Sequence, residues 1–444
     1  MGNQMMEHIV VTRKNLRKET VKTALMQFDK ELVGLNYEDQ QKKYSKMLAN
    51  PFQFYRGSAF LFYYDATLLP FAYHTPSEKP TWLQGDLHFE NFGAFKNKEG
   101  KMVYNANDFD EGYLGSYLYD VYRMAVSIAL YSEELGYSED DQIKLIHEYV
   151  NAYYKQLQSF VDRAEIPVDL TFEKQNTKGP VHTLLTGLPE RQANAVLEAV
   201  TTVDSGERRF QETDDLMHLT ENEQKELEDA WPDYIASIDP SNKQRDGFYA
   251  IKDVVKKLGA GTGSIGLLRY YILIDGHADG DDGDLVLEAK EARTPAPNHF
   301  FPYDEFFSDD FTHQGKRVIT AQKAMQYLED PYLGYFSLGA HDFYVRENSP
   351  FEDEVDPNEL NDKQSILSTV EVMGKVTAKA HARADEMQFD HESEEEIIKA
   401  IGNEYEGFLS QLTAASIFYK NQVHDDYEIF KEWCKEDFEL DADK

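Results

Sequence analysis

The 444 residues carry 45 basic against 81 acidic side chains, a formal charge of −36. That charge repels a phosphate backbone and an anionic lipid surface alike, so neither nucleic acid nor membrane is expected as a partner. With 41% hydrophobic and 13% aromatic residues the chain can build a real core, and its length exceeds what one compact core usually supports. Two lobes with a site between them are therefore expected. The single cysteine, Cys434, excludes an intrachain disulfide and a multi-cysteine metal site. The start MGNQMMEHIVVTRKNL lacks an apolar signal core, Met6 stands where a myristoylation motif has Ser or Thr, and no run could span a bilayer. A cytoplasmic protein is expected.

Residues 1 to about 50 read as charged helix without a motif. From Phe54, FYRGSAFLFYYDATLL sets aromatic and aliphatic side chains around Arg56, which predicts a buried segment. Thr81 to Leu83 and Met102 to Ala106 are short apolar runs bounded by Gly, Asn and Asp, the pattern of strands feeding loops. Tyr119 to Tyr131 and Gln142 to Val161 carry apolar residues at helical spacing, Ile143, Ile146, Val150, Tyr154 and Leu157 among them. Residues 162–245 mix short helices with polar connections, and a boundary is placed at 250. Beyond it, VVKKLGAGTGSIG, LLRYYILI and DLVLEAKEA read as three strands. A helix from His313 to Leu328 and two strands, YLGYFSL and HDFYVRE, follow. An acidic linker, PFEDEVDPNELND, leads to a helix from Lys363 to Ala384 and a helical C-terminal region. The turn DGHADGDDGD tempts a calcium reading, but its twelfth position from Asp275 is Val286 rather than a glutamate, so a solvated hairpin is expected.

GDLHFEN sets Asp86 and Asn91 in one loop after a short strand. Phosphoryl transfer needs a base near an acceptor hydroxyl and oxygen ligands that hold magnesium against phosphates, and an Asp with an Asn can supply both. The same residues also suit an Asx-rich turn. NDFDEG follows the second apolar run. Asp108 and Asp110 alternate with Phe109, so on a strand both carboxylates face one side, where a hard cation such as magnesium would relieve their repulsion.

Gly261, Gly263 and Gly266 fall in G-x-G-x-x-G spacing, with Ser264 among them. Such a loop lets backbone N–H groups approach phosphate. A dinucleotide fold would place a helix next, whereas LLRYYILI is β-branched and aromatic, which favours a kinase-type glycine loop. In LVLEAK, Lys290 ends an apolar run that resembles the Val-Ala-Ile-Lys strand whose lysine reaches nucleotide phosphates, against the alternative of a solvent-facing lysine. Its acidic partner is open among Gln322, Glu329 and Glu291.

GDLHFEN followed by NDFDEGYLGSYLYDVYRMA resembles the catalytic loop, metal loop and following helix of the aminoglycoside phosphotransferase and choline kinase branch of the kinase-like superfamily. That resemblance implies Asp86 as catalytic base, Asn91 and Asp108 as metal ligands, Asp110 as an auxiliary ligand, and Asp120 as a buried brace of the catalytic loop. An ordinary helical ion pair between Asp120 and Arg123 is the alternative. Gln84 and Glu90 depart from the branch's histidine and glycine. KAHARAD, with His381 and Arg383, resembles the helix end that precedes the catalytic loop in that branch, against the alternative of a surface histidine. The ordered series FYRG, GDLHFENFGAF, NDFDEG, GTGSIG, EAKEA, GKRVITAQ and FYVRE, from Phe54 to Arg383, resembles the bacterial domain-of-unknown-function 2252 family.

The fold implied is α+β: a protein-kinase-like two-lobe fold, circularly permuted because the loops come before the glycine segment. Residues 1–250 and 351–444 would form a mostly helical large lobe, and 251–350 a small antiparallel-sheet lobe binding ATP. The function implied is ATP- and Mg2+-dependent transfer of phosphate to a hydroxyl of an unknown small molecule or protein. Asp86 and Lys290 would be catalytic. Gly261, Gly263, Ser264, Gly266 and Lys290 would bind the nucleotide, and Asn91, Asp108 and Asp110 the metal. AMP transfer from the same site, for which Gln84 and Glu90 are the sequence support, and a non-catalytic pseudokinase-like sensor stand as alternatives. Retention of Asp86, Asn91, Asp108 and Lys290 together argues against the sensor.

Overall fold

The computed structural model describes residues 2–204, 206–259, 261–276, 283–300, 312–384 and 389–441. The architecture is α+β, as expected, and every strand pairing is antiparallel. Most of the acidic hairpin, Ala260 of the glycine segment and Asp385 of KAHARAD lie outside the described residues.

The largest core is helical. The Leu118–Glu134 helix is buried on nearly every side, including Val121, Met124, Ile128 and Leu130, so it forms the axis of this body rather than a surface helix. Glu139–Val161, Lys363–Arg383 and Tyr405–Asp437 belong to the same body. Ser138 caps the second of these by accepting from Asp141 N, and Glu139, Asp140 and Asp141 fill its first turn, where the helix dipole favours negative charge. The aromatic segment expected to be buried is so: it forms two short helices, Pro51–Gly57 and Ala59–Ala66, with Phe52, Phe54, Tyr55 and Tyr63 enclosed.

Two small two-stranded sheets stand on this body. Strand β1 (Thr81–Leu83) pairs with β4 (Tyr113–Gly115), and β2 (Phe92–Lys96) pairs with β3 (Met102–Ala106). Trp82 and Leu83 are fully buried, each anchoring the sheet by about 1.5–3 kcal/mol of apolar burial. The connections between these strands are the loops 84–91 and 107–112.

A six-stranded sheet carries its own core. Beyond the hairpin of β5 (Thr201–Asp204) and β6 (Glu207–Phe210), its strands are β7 (Leu216–His218), β8 (Ile251–Lys257), β9 (Arg269–Ile274), β10 (Leu285–Ala292), β11 (Gly334–Leu338) and β12 (His341–Glu347), in the order β11-β12-β10-β9-β8-β7. The anticipated succession of three strands, helix and two strands is present, with the helix at Gln314–Met325. The sheet also draws on residues before 251, because β7 pairs with β8 and the helix Glu221–Ser237 packs on β11. Period-2 alternation sends Leu287 and Ala289 of β10 to a core with Trp231, Tyr234 and Phe343. Val286 points to the opposite face with Leu273 and Val255. Glu288 and Lys290 share that second face. Among the described residues, no helix is long and apolar enough to cross a membrane.

Candidate functional site

The loop 84–91 is held from below. Asp120, fully enclosed in the first turn of the Leu118–Glu134 helix, accepts hydrogen bonds from Gln84 N at 2.7 Å and Gly85 N at 3.1 Å. Its Oδ2 also lies 3.2 Å from His381 Nε2. A carboxylate only accepts, so His381 carries its proton on Nε2, and its Nδ1 receives the Tyr153 hydroxyl at 2.9 Å. The His381 carbonyl in turn accepts from Thr81 Oγ1 at 3.1 Å. Asp120 is thus the brace of the loop, and His381 is buried rather than a surface histidine. Gly85 sits at φ +88°, and a Cβ there would fall 1.9 Å from the Glu111 carbonyl oxygen, so the two loops touch backbone to backbone.

Gln84 welds the loops together. Its amide nitrogen donates to the carbonyls of Asn107 and Asp108, and its Oε1 accepts from Asp86 N at 2.9 Å. Asn91 contributes a second weld, since Asn107 N donates to its carbonyl at 3.0 Å, while its Nδ2 donates within its own loop to the Asp86 carbonyl at 2.9 Å.

Asp86 pairs with Arg123 rather than leaving Arg123 to Asp120. Arg123 Nε donates to Asp86 Oδ1 at 2.6 Å, and its guanidinium lies over the rings of Tyr55 and Phe62, at 4.4 and 4.9 Å from their centroids. Burial pushes the Asp86 carboxyl above the usual range, against the downward pull of Arg123. Asp86 Oδ2 lies 3.9 Å from His88 Nε2, which accepts from Arg56 Nε at 3.3 Å. Burial, with Arg56 and Arg123 nearby, holds His88 well below its ordinary pKa, so it is neutral. Arg56 also pairs with Glu90, which explains how a glutamate is accommodated in this loop.

The loop 107–112 departs from the strand geometry expected of it. β3 ends at Ala106, and Asp108 takes the left-handed conformation, φ +53°. That reversal breaks the alternation that would have put both carboxylates on one face. Asp108 lines a cleft of about 510 Å³ with Asn91, Lys290, Gln322, Tyr344 and Arg346. Asp110 instead lines a smaller pocket, about 80 Å³, with Asp86, Glu111, Thr262 and Gly263. Arg56 borders both spaces. The structure therefore groups Asn91, Asp108 and Lys290 on one side, and Asp86, Asp110 and Gly263 on the adjoining side. Burial and the neighbouring Asp110 charge hold Asp108 above its ordinary pKa.

The acid facing Lys290 is Asp110. Its Oδ2 pairs with the Lys290 ammonium, and its Oδ1 accepts from Tyr344 Oη at 2.8 Å. Burial alone would lower the lysine's pKa, but Asp110, with Tyr344 and Asp108, reverses this and raises it. The anticipated partners are engaged elsewhere. Glu291 points to the opposite face of β10, accepting from Leu268 N at 2.8 Å and Arg293 Nε at 3.0 Å. Gln322 donates to Gln326 Oε1 at 3.0 Å, and the charge of Glu329 acts on Lys379. Two strand positions before Lys290, Glu288 pairs with Arg269 at Nε, 2.8 Å, and Arg346 at 3.2 Å; these cations and Lys290 outweigh burial and hold it down to about 2.

Arg317 is a residue that composition and spacing did not single out. It is 1% exposed on the Gln314–Met325 helix, and its guanidinium donates to the carbonyls of Asp110 at 2.8 Å, Gly112 and Arg293 at 2.9 Å. Burial lowers its pKa to about 10. Gly112 allows the loop to seat on this helix, since a Cβ would stand 2.6 Å from that of Ala321. Only the position of Arg317 within GKRVITAQ carried a signal.

The glycine segment forms a tight turn. Ser264 N donates to the Gly261 carbonyl at 3.1 Å, Gly261 and Gly263 are exposed with open space around them, and Gly266 takes φ +78°. Arg293 staples the turn: Nη2 donates to the Gly266 carbonyl at 2.6 Å and Nη1 to the Val33 carbonyl at 2.9 Å.

Among the described residues no group of three or more His, Cys, Asp or Glu could hold a metal ion. A hard cation with few protein ligands still suits the larger cleft. There Asp108 offers a carboxylate, and Asn91, whose Nδ2 is committed to the Asp86 carbonyl, offers Oδ1.

No curated protein and no solved structure matches the chain. One family model does, over residues 38–433, nearly the whole length, and its description is "Uncharacterized protein conserved in bacteria". The chain belongs to that family, DUF2252.

Proposed function

We propose that the protein is an ATP- and magnesium-dependent phosphotransferase acting on a hydroxyl, built on a circularly permuted kinase-like fold. The observation that carries this reading is the convergence of Asn91, Asp108 and Lys290 on one cleft; Asp86 and Gly263 line a second, smaller pocket that shares Arg56 with it, and Asn91 bonds to the Asp86 carbonyl between the two. The contact of His381 with Thr81 supports the permutation. The end of the Lys363–Arg383 helix meets the strand leading into the 84–91 loop, although the chain connects them in the opposite order.

In this reading Asp108 and Asn91 would hold magnesium, which supplies charge neutralisation at the phosphate oxygens. Lys290 steadies the same phosphates by its charge. Asp86 accepts the proton of the acceptor hydroxyl as that oxygen bonds to the γ-phosphorus and the bond to the ADP oxygen breaks. A carboxyl held above its ordinary pKa by burial is a better base for that proton than a free aspartate.

The test is thermal stabilisation by ATP with and without Mg2+, in wild type and Asp108→Asn. A magnesium-dependent rise in wild type that Asp108→Asn abolishes supports the reading. No rise with either addition overturns it. Separate α- and γ-labelled ATP then distinguishes the transferred group, since label reaching the acceptor only from the α position means AMP transfer.

A further inference from the structure

The two carboxylates of NDFDEG have divided their labour. We propose that Asp110 is the positioning residue of Lys290, the acid that aims the lysine into the cleft, and that metal binding falls to Asp108 and Asn91 alone. This rests on the phosphotransferase reading and assigns roles within it.

Three contacts carry the inference. Lys290 and Tyr344 are registered cross-strand partners on β10 and β12, so their side chains stand side by side on one face. Each takes a different oxygen of Asp110: the ammonium Oδ2, the hydroxyl Oδ1 at 2.8 Å. Arg317 then fixes the same residue from behind, through the Asp110 carbonyl at 2.8 Å. Asp110 is gripped at its carboxylate and its backbone by three residues from the sheet and its helix.

For Asp110 to ligate a cation, its carboxylate would have to release Lys290, whose side chain is 9% exposed, from the acid it contacts directly. Breaking a poorly solvated pair by removing one partner is strongly unfavourable. Asp108 needs no such exchange, because its left-handed backbone turns it to the larger cleft. The helix Gln314–Met325, which carries Gln322, acts instead through the Arg317 grip on the loop that carries the lysine's partner.

Two measurements on the full chain test this. In a thermal cycle without ligand, Lys290→Met and Asp110→Asn are combined, and the double variant is expected to unfold near the melting temperature of the worse single variant. A double variant whose loss equals the sum of the two overturns the pairing. In a titration with Mn2+ alone, followed by the paramagnetic resonance of the free ion, Asp108→Asn is expected to weaken binding by about tenfold or more, and Asp110→Asn by less than about threefold. Equal weakening by both overturns the division of roles. If Asp110→Asn does not fold, Asp110→Glu, which keeps the charge, replaces it in the Mn2+ titration, and the cycle is read from folding itself: recovery of a folded Lys290→Met/Asp110→Asn double variant supports the pairing and an unfolded one overturns it. Wild type that takes up no Mn2+ removes the magnesium reading above and leaves the thermal cycle to decide the Lys290–Asp110 pair, so the two failures are told apart.

Discussion

Arg123 and Asp86 form an ion pair in which the cation, not the acid, is the wholly enclosed member: the arginine side chain has no solvent access, while the aspartate keeps about a fifth of its own. Arg123 Nη1 has no hydrogen-bond partner among the described residues. Neutralising the acid strands a buried guanidinium. Asp86→Asn is therefore expected to lose about 3–5 kcal/mol of stability. Calorimetric unfolding of Asp86→Asn and of Asp86→Asn/Arg123→Met checks this, with the double variant recovering part of the loss. A neutral or stabilising Asp86→Asn would contradict the pairing.

The same pair sets an activity profile if Asp86 is the base. A base must be deprotonated, so the acid limb of kcat/KM follows its pKa. Burial raises Asp86 and Arg123 lowers it. Arg123→Met removes the lowering influence, and the acid limb is expected to move to higher pH. A limb that stays put or moves down would assign the proton to another group.

Two buried carboxyls contribute stability on mild acidification. Burial and Asp330 push Glu347 up to about 7, and burial and Glu90 do the same for Glu354. In the unfolded chain these carboxyls protonate near 4.5. Between those values the folded state holds more protons, so stability grows as pH falls from about 7 towards 4.5. Lys379, held by burial down to about 7, acts only above that window, where stability rises with pH until the unfolded lysine also titrates. Within the same window His88, held by burial well below its ordinary pKa, acts the other way, because the unfolded histidine takes up a proton that the folded one refuses; the carboxyl contribution is therefore read from a variant rather than from the net melting temperature. Glu347→Gln should raise it at pH 7 and change it little below pH 4.5. Equal effects of Glu347→Gln at both pH values would show that the group is not titrating.

Gly85→Ala combines two penalties, a left-handed backbone and a Cβ placed 1.9 Å from the Glu111 carbonyl oxygen. A loss of about 2–4 kcal/mol is expected, with the contact of the two loops broken. Gly100→Ala, also at positive φ but with nothing within 4 Å, isolates the backbone term and should cost about 1 kcal/mol. Parallel denaturant titrations read the difference. Equal losses would place the strain in the backbone alone.

Much of this was legible in sequence wherever a local pattern decides the structure. Thr81–Leu83 and Met102–Ala106 are strands with the bounds their apolar runs suggest, and LVLEAKEA is a strand as read, although Glu291, kept open as the partner of Lys290, falls on its opposite face. What was not legible depends on contacts between distant residues. Arg317 looks like any basic residue on an amphipathic helix until the loop 107–112 lands on it. Asp110 reads as the twin of Asp108 until one positive φ separates them. TTVD, ERRF and LMH are too short and too exposed to announce strands, and only pairing and packing beside β8 reveals where they belong.

The staple made by Arg293 has a consequence for the smaller pocket. One guanidinium holds the carbonyls of Gly266 and Val33 together, so the glycine turn is tied through Arg293 to the end of the Gln27–Leu32 segment, and lifting it alone costs the Gly266 bond. The smaller pocket beside Asp86, Thr262 and Gly263 is thus walled by a turn fastened to a distant part of the chain.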